Sequence, residues 1–176
     1  MIAAGFGGQG VLSLGQVVAY AGMYEGKEVT WLPSYGPEMR GGTANCSVVV
    51  SDKEIANPMI SHPDIVVAMN GPSVDKFASR VSKGGYLFVN SSIVDTKIDR
   101  KDITVVYVDT FKIATDAGNP KGLNVVMLAA VIEYTAIVTA QHAKDAVAYS
   151  FKEKPQLIDI NLKLFDFATE AIKAGK

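Results

Sequence analysis

The apolar residues of this 176-residue chain fall into two patterns. Short runs rich in apolar and β-branched residues, bounded by glycine, asparagine or serine, predict buried strands. Apolar residues spaced three or four apart predict helices with one apolar face. The predicted strands are residues 2–4, 28–32, 43–51, 65–69, 86–89 and 103–108. The predicted helices are one that contains Leu14, Val17, Val18 and Ala21, then residues 73–81, 111–117, 123–137 and 143–148, and a last helix that opens at Pro155.

The order of these elements predicts the fold class. Strands alternate with helices, and the strands read as continuous apolar runs, which is typical of a sheet covered on both faces. We therefore expect an α/β fold: a single domain over residues 1–176, built as a three-layer α/β/α sandwich around a mostly parallel or mixed, Rossmann-like sheet. Residues 123–137 are apolar on nearly every side, so this helix is expected to be buried all round or to lie at an interface.

A glycine loop, Gly5-Phe6-Gly7-Gly8-Gln9-Gly10, follows the first predicted strand and precedes the first helix. Such a loop lets the backbone approach a phosphate, and the helix N-terminus supplies N–H groups and a positive dipole end. A dinucleotide site would also need an acid about twenty residues further on, at the end of the second strand. No acid lies between Glu28 and Glu38, which argues against an NAD site. A phosphate or pyrophosphate of another ligand and a purely structural turn both stay open.

The stretch over residues 33–46 is the second candidate for a site. Its two prolines and three glycines all precede residue 43 and exclude a helix or a central strand there, so we expect a long loop over residues 33–43. Arg40 is followed by two glycines, an arrangement suited to clamping a phosphate or carboxylate with the guanidinium. The alternative for Arg40 is a surface ion pair with Glu38, which would contribute little. Because both loops follow strands, we expect them at the same end of the sheet.

Composition excludes several classes of function. A net charge of −1 without a basic cluster argues against a nucleic-acid surface. The single cysteine, Cys46, excludes an internal disulfide and a self-contained iron–sulfur cluster, and we expect a buried, inert thiol. His62 and His142 lack the spacing of metal ligands. The longest apolar run, residues 125–132, is too short for a membrane span, and no leader is evident, so we expect a cytoplasmic protein.

Four stretches of the sequence, in order along the chain, resemble the gamma subunit of the 2-oxoacid:ferredoxin oxidoreductases: GFGGQGV, PSYGPEMRGGTANCSVVVSD, AMNGPSVDKF and GNPKGLNVVMLAA. The second stretch is the most specific, and its form is closer to the 2-oxoglutarate and branched-chain members than to the pyruvate ones. The resemblance implies a non-autonomous subunit of an enzyme that converts a 2-oxoacid, with 2-oxoglutarate expected, and coenzyme A to acyl-CoA, carbon dioxide and reduced ferredoxin.

The resemblance also implies which groups this chain holds and which it does not. Thiamine diphosphate and iron–sulfur clusters are expected in partner subunits, namely alpha, beta and a ferredoxin-like delta subunit. Coenzyme A is the one ligand expected here, and neither a catalytic residue nor a metal ligand is predicted. The predicted contacts are Gly7, Gly8, Gln9, Gly10, Tyr35, Arg40, Gly41, Gly42 and Thr43.

Two other functions compete with this interpretation. The glycine loop would also suit a stand-alone nucleotide-binding protein, and the apolar helix and long loop would suit a non-catalytic assembly subunit. If the chain is a subunit, it exposes an apolar face when isolated, and we expect it then to form homodimers.

Overall fold

The structure is a computed structural model that describes residues 1–36 and 42–175. Within these residues it contains strands β1 to β6 and helices α1 to α6. The strands are β1 (Ile2–Phe6), β2 (Glu28–Tyr35), β3 (Thr43–Ser51), β4 (Ile65–Ala68), β5 (Tyr86–Asn90) and β6 (Thr104–Val108). The helices are α1 (Val11–Tyr24), α2 (Gly71–Phe77), α3 (Thr110–Asp116), α4 (Leu123–Thr135), α5 (Ala140–Ser150) and α6 (Ile158–Ala174). Short 3₁₀ turns at Ala78–Arg80 and Pro155–Leu157 follow α2 and precede α6.

The strands form one sheet in the order β2-β3-β1-β4-β5-β6. The β1–β4, β4–β5 and β5–β6 pairs are parallel, whereas β3 runs antiparallel between β1 and β2. The connection between β2 and β3 is too short for the crossover that a parallel pair requires, so these strands form a hairpin. The predicted mostly parallel sheet is confirmed, with β3 as its antiparallel member.

Helices cover both faces of the sheet, as predicted. One core includes Val18 of α1, Leu128 of α4 and Phe165 of α6. The other core lies on the opposite face and includes Val74 of α2 together with strand residues such as Leu87. The strands are apolar on both faces because each face packs against helices, which is why their sequences do not alternate.

Helix α4 is the central helix of the larger core. All its residues from Val125 to Ile132 are buried, and the helix packs against α1, α6 and β5. Of the two environments predicted for residues 123–137, burial on all sides and an interface, burial is therefore confirmed. The helix ends at Thr135, two residues earlier than predicted, because Ala136 adopts the left-handed conformation (φ 46°).

The predicted start of the loop, at Pro33, is wrong by three residues. Pro33, Ser34 and Tyr35 continue β2 rather than opening the loop, and Pro33 lies opposite Cys46 of β3. A proline is tolerated here because β2 is an edge strand, whose outer row of backbone groups needs no partner in the sheet. Strand β2 therefore ends at Tyr35 and β3 begins at Thr43, and residues 37–41 between them lie outside the described residues.

Two other predicted boundaries also shift. Helix α5 begins at Ala140 rather than residue 143, since the Thr139 side chain caps it by accepting from the His142 N–H. Pro155 opens a 3₁₀ turn, and α6 itself starts at Ile158. No helix among residues 1–36 and 42–175 combines the length and the apolar character needed to cross a bilayer.

Candidate functional site

The glycine loop turns the chain sharply from the carboxyl end of β1 into α1. The N–H of Gln9 donates to the Phe6 carbonyl oxygen at 3.1 Å and closes the turn. Gly8 and Gly10 have φ angles of 101° and 73°, which glycine adopts without strain and other residues rarely do. A Cβ atom at Gly10 would also lie only 2.7 Å from the Asn124 side chain. The last glycine therefore lets α1 start in close contact with α4.

The β2–β3 hairpin packs directly beside this loop. The N–H of Gly7 donates to the Gly42 carbonyl oxygen at 2.9 Å, and Phe6 lies opposite Thr43 in the sheet register. At the start of the hairpin loop, the Gly36 N–H donates to the Thr43 carbonyl oxygen at 2.9 Å. The prediction that the two loops lie at the same end of the sheet is confirmed for their described residues.

A cavity of about 360 Å³ lies between the glycine loop, the first turn of α1 and the hairpin. Its lining residues are Phe6, Gly7, Gly8, Gly10, Val11, Leu12, Ser13, Tyr35 and Ala44. The Tyr35 side chain stands at its edge and is 57% exposed. Among the residues that the structure describes, this lining contains glycines, apolar side chains and two hydroxyl groups, but no carboxylate, imidazole, amine or thiol.

The start of α1 gives this cavity an electrostatic preference. Gly10 caps the helix without a side chain, and the first turn contains no acidic residue. The N–H groups of a first helical turn have no partner within their own helix, and the helix dipole places positive potential there. The cavity therefore suits an anionic group, and phosphate is the chemistry that such helix starts commonly bind.

The structure brings some of the predicted contact residues together and separates others. Gly7, Gly8, Gly10 and Tyr35 line the cavity. Gly42 and Thr43 lie next to it and contact the glycine loop through backbone pairing. Arg40 and Gly41 fall outside the described residues, as does Glu38, the alternative partner of Arg40.

Gln9 does not line this cavity, and its side chain is bonded elsewhere. Its Oε1 accepts from the Phe6 N–H at 2.7 Å, and its Nε2 donates to the Met69 carbonyl oxygen at 3.0 Å. Asn70 Nδ2 lies 3.4 Å from the same Oε1. Gln9 is thus engaged by the ends of β1 and β4, and its predicted contact with a ligand finds no support in this geometry.

Gly7 is among the predicted contacts of coenzyme A, and the structure shows the partner of its backbone N–H. The Gly7 N–H is already used by the Gly42 carbonyl, which leaves it unavailable in this conformation. Sequence reasoning also missed Leu12 and Ser13, which line the cavity from the first turn of α1. Their position directly after a glycine loop could have predicted this, because the first turn of the following helix faces the ligand that the loop binds.

The remaining reactive side chains lie elsewhere. The Cys46 thiol is buried, as predicted, and burial raises its pKa to about 11, so it is protonated and inert near neutral pH. His62 is exposed, whereas His142 Nδ1 lies 2.9 Å from Thr139 Oγ1 and 3.3 Å from Glu25 Oε1. No cluster of three or more histidine, cysteine, aspartate or glutamate residues suited to a metal ion occurs in the described part of the chain.

Comparison with known proteins identifies the family of this chain. The family model described as "Pyruvate ferredoxin/flavodoxin oxidoreductase" matches residues 1–171. The ketoisovalerate oxidoreductase subunit VorA of Methanothermobacter marburgensis is 37% identical over 164 residues, covering 93% of this chain and 34% of the relative. The 2-oxoglutarate synthase subunit KorC of Methanocaldococcus jannaschii is 33% identical over 172 residues, covering 96% of this chain and 91% of the relative. The chain thus spans about a third of VorA but nearly all of KorC.

Solved structures share the fold over almost the whole chain. The gamma subunit of a keto/oxoacid ferredoxin oxidoreductase from Geobacter sulfurreducens has a TM-score of 0.82 at 29% identity, covering 98% of this chain and 97% of that one. A 2-oxoglutarate:ferredoxin oxidoreductase from Magnetococcus marinus has a TM-score of 0.85 at 22% identity, covering 98% and 30%, and supports the fold alone. From the family match and these relatives, we conclude that the chain belongs to the pyruvate ferredoxin/flavodoxin oxidoreductase family and is of the gamma-subunit type that its sequence motifs resemble.

Proposed function

We propose that this chain works as the gamma subunit of a multi-subunit 2-oxoacid:ferredoxin oxidoreductase and that its task is to hold coenzyme A. The complex would convert a 2-oxoacid and coenzyme A to acyl-CoA, carbon dioxide and reduced ferredoxin. Decarboxylation on thiamine diphosphate and electron transfer through iron–sulfur clusters would occur in the alpha, beta and delta subunits. Those are reactions that cofactors carry out, and a protein's part is binding and orientation.

The observation that carries this proposal is the cavity between the glycine loop and Tyr35. In this cavity the start of α1, which no side chain caps, lies beside a loop whose Gly8 is exposed. Coenzyme A carries a diphosphate and a further phosphate, so it matches the anionic preference of this site. The absence of acid, base and thiol groups from the described lining supports a site that binds rather than one that reacts. The Magnetococcus marinus protein, which shares the fold, has coenzyme A bound.

The Gly8 N–H and the N–H groups of residues 11–13 would donate to a phosphate, and the Ser13 hydroxyl would supply a further donor. The exposed Tyr35 ring offers a flat surface on which an adenine can stack. Arg40, which lies between Tyr35 and Gly42 in the sequence, would clamp a second phosphate.

We propose 2-oxoglutarate as the 2-oxoacid. KorC, a 2-oxoglutarate synthase subunit, is similar to this chain over 91% of its own length. VorA, a ketoisovalerate oxidoreductase subunit, is slightly more identical, at 37% against 33%. A branched-chain 2-oxoacid is therefore the competing substrate.

The experiment that tests this function compares the reconstituted complex with and without the chain. Ferredoxin reduction is followed while coenzyme A is varied, with 2-oxoglutarate, 2-oxoisovalerate or pyruvate as substrate. We expect coenzyme A-dependent turnover only when the chain is present, and the highest kcat/KM with 2-oxoglutarate. An unchanged KM for coenzyme A in complexes that lack the chain would contradict the proposal. Turnover by the isolated chain would contradict its non-autonomous role.

A further inference from the structure

The crevice between β1 and β4 is where a doubly wound sheet usually binds its ligand. The two strands are parallel neighbours, yet the helices that follow them lie on opposite faces. Helix α1 contributes Val18 to one core, and α2 contributes Val74 to the other. At such a point the loops after the two strands diverge, and the space between them opens at the carboxyl end of the sheet.

In this protein the Gln9 side chain fills that crevice. Its amide accepts from the Phe6 N–H at the end of β1 and donates to the Met69 carbonyl oxygen just beyond β4. The adjoining Asn70 caps α2, because its Oδ1 accepts from the Ser73 N–H at 2.9 Å. Gly5 makes room for the amide, since a Cβ atom there would lie 2.7 Å from Gln9 Oε1.

These bonds hold the glycine loop through a residue that does not line the cavity. Gln9 anchors the loop toward β4, while the Gly7 N–H anchors it toward β3 through Gly42. Between the two anchors, Gly8 is left exposed and adopts its left-handed conformation at the cavity. Both polar atoms of the Gln9 amide are needed, because only a group that accepts at one atom and donates at another satisfies Phe6 and Met69 together.

We propose that Gln9 is a positioning residue for coenzyme A: its amide closes the crevice between β1 and β4 and thereby holds the glycine loop in the shape that receives a phosphate on the Tyr35 side. This inference rests on the proposed function. It assigns Gln9 an indirect role, in place of the direct ligand contact that its position in the motif suggests.

Two variants separate the parts of this role. Gln9→Met keeps the length of the side chain and removes both hydrogen bonds. Gln9→Glu keeps the acceptor for Phe6 but places a carboxylate oxygen against the Met69 carbonyl oxygen. The matched control is Gln156→Glu, the same chemical change at an exposed residue in the Pro155–Leu157 turn.

The assembled complex is the material for the test. Its KM for coenzyme A, KM for the 2-oxoacid and kcat are measured, and amide hydrogen exchange is followed across residues 5–10. We expect both Gln9 variants to raise the KM for coenzyme A about fivefold to fiftyfold, on the scale of one or two partly buried hydrogen bonds. The KM for the 2-oxoacid should stay unchanged, and the Phe6 amide should exchange faster. Gln156→Glu should match the wild type in every measurement.

Acidification supplies a rescue that general destabilisation would not produce. The protonated carboxyl of Gln9→Glu can donate to the Met69 carbonyl as the amide does. Its coenzyme A affinity should therefore recover as the pH falls from about 8 to about 5.5, since burial beside a carbonyl raises a carboxyl pKa. Gln9→Met should show no recovery.

Three outcomes overturn the proposal, and only one of them also removes the proposed function. Faster exchange of the loop with an unchanged KM for coenzyme A would show that the loop shape does not govern binding, and the proposed function would survive. A wild-type complex whose coenzyme A binding does not depend on this chain would remove the proposed function as well. Failure of Gln9→Met to assemble leaves the pH recovery of Gln9→Glu as the deciding result, and its absence overturns the proposal.

Discussion

The Gly7 N–H donates to the Gly42 carbonyl oxygen at 2.9 Å, and this bond joins the two glycine-containing segments into one site. Gly7 belongs to the loop after β1, and Gly42 immediately precedes β3. The two residues are distant in sequence, yet the antiparallel pairing of Phe6 with Thr43 brings them together. The cavity assigned to coenzyme A therefore depends on the sheet register as well as on the motif.

The two left-handed glycines of the loop should respond differently to alanine. Gly8→Ala adds backbone strain only, because nothing lies within 4 Å of the new Cβ atom. Gly10→Ala adds the same strain and an overlap with Asn124. We expect losses in unfolding free energy of about 1–2 kcal/mol for Gly8→Ala and more for Gly10→Ala, measured by denaturant unfolding.

Gly71→Ala is the matched control for these glycines. Gly71 has ordinary helical geometry at the start of α2 and open space around its Cβ position, so alanine should leave stability nearly unchanged. Adding Asn124→Ala should restore part of the stability lost by Gly10→Ala and none of that lost by Gly8→Ala. Equal losses for Gly8→Ala and Gly10→Ala would contradict the packing explanation.

Glu25 should make the fold sensitive to acid. Its side chain is only 10% exposed, and this burial alone would raise its pKa. The Thr139 N–H and Lys27, whose Nζ lies 3.0 Å from Oε2, overcome burial and lower the pKa to about 2. Because the folded-state pKa lies below the unfolded value of about 4.3, the stabilisation is present at neutral pH and is lost as the pH falls toward 2.

The Glu25→Gln variant tests this linkage. It should lower the unfolding free energy by about 1–3 kcal/mol at pH 7 and flatten the dependence of stability on pH between about 5 and 2. Glu170→Gln is the control, because Glu170 is 75% exposed in its pair with Lys173 and should contribute little. Stability curves of Glu25→Gln and wild type that run parallel across the acid range would refute the assignment. His142, whose Nδ1 lies 3.3 Å from Glu25, is kept intact in both variants.

Arg40 lies outside the described residues, so its prediction rests on the sequence. If it clamps a phosphate of coenzyme A, Arg40→Ala should raise the KM for coenzyme A about tenfold to a hundredfold. Arg40→Lys should recover only part of the affinity, because an ammonium cannot reproduce the planar guanidinium fork. The KM for the 2-oxoacid, measured on the same assembled complex, is the internal control. A defect confined to subunit assembly would assign Arg40 a structural role, such as pairing with Glu38.

The sequence predicted those parts of the fold that depend on local patterns. Residues 65–69 and residues 125–132 of α4 are entirely apolar, so their burial, and with it the layers and the core, could be predicted from the sequence. The extension of β2 through Pro33 was not predictable, because proline is tolerated only if the strand lies at an edge, which depends on the strand order.

The site was predictable in its outline but not in its inner contacts. The glycine pattern identified the loop that lines the cavity, including Gly8 and Gly10. The direction of the Gln9 side chain depends on Met69, which lies 60 residues away and becomes a neighbour only through the β1–β4 pairing. The use of the Gly7 N–H depends likewise on the β1–β3 register.

Binding of coenzyme A at the glycine-loop cavity of this chain is tested by amide hydrogen exchange on the assembled complex, with and without saturating coenzyme A. We predict slower exchange in the presence of coenzyme A at Gly8 and at residues 11–13, with no change in α6, which does not line the cavity. Coenzyme A that binds the complex without altering exchange at these amides would contradict binding at this cavity.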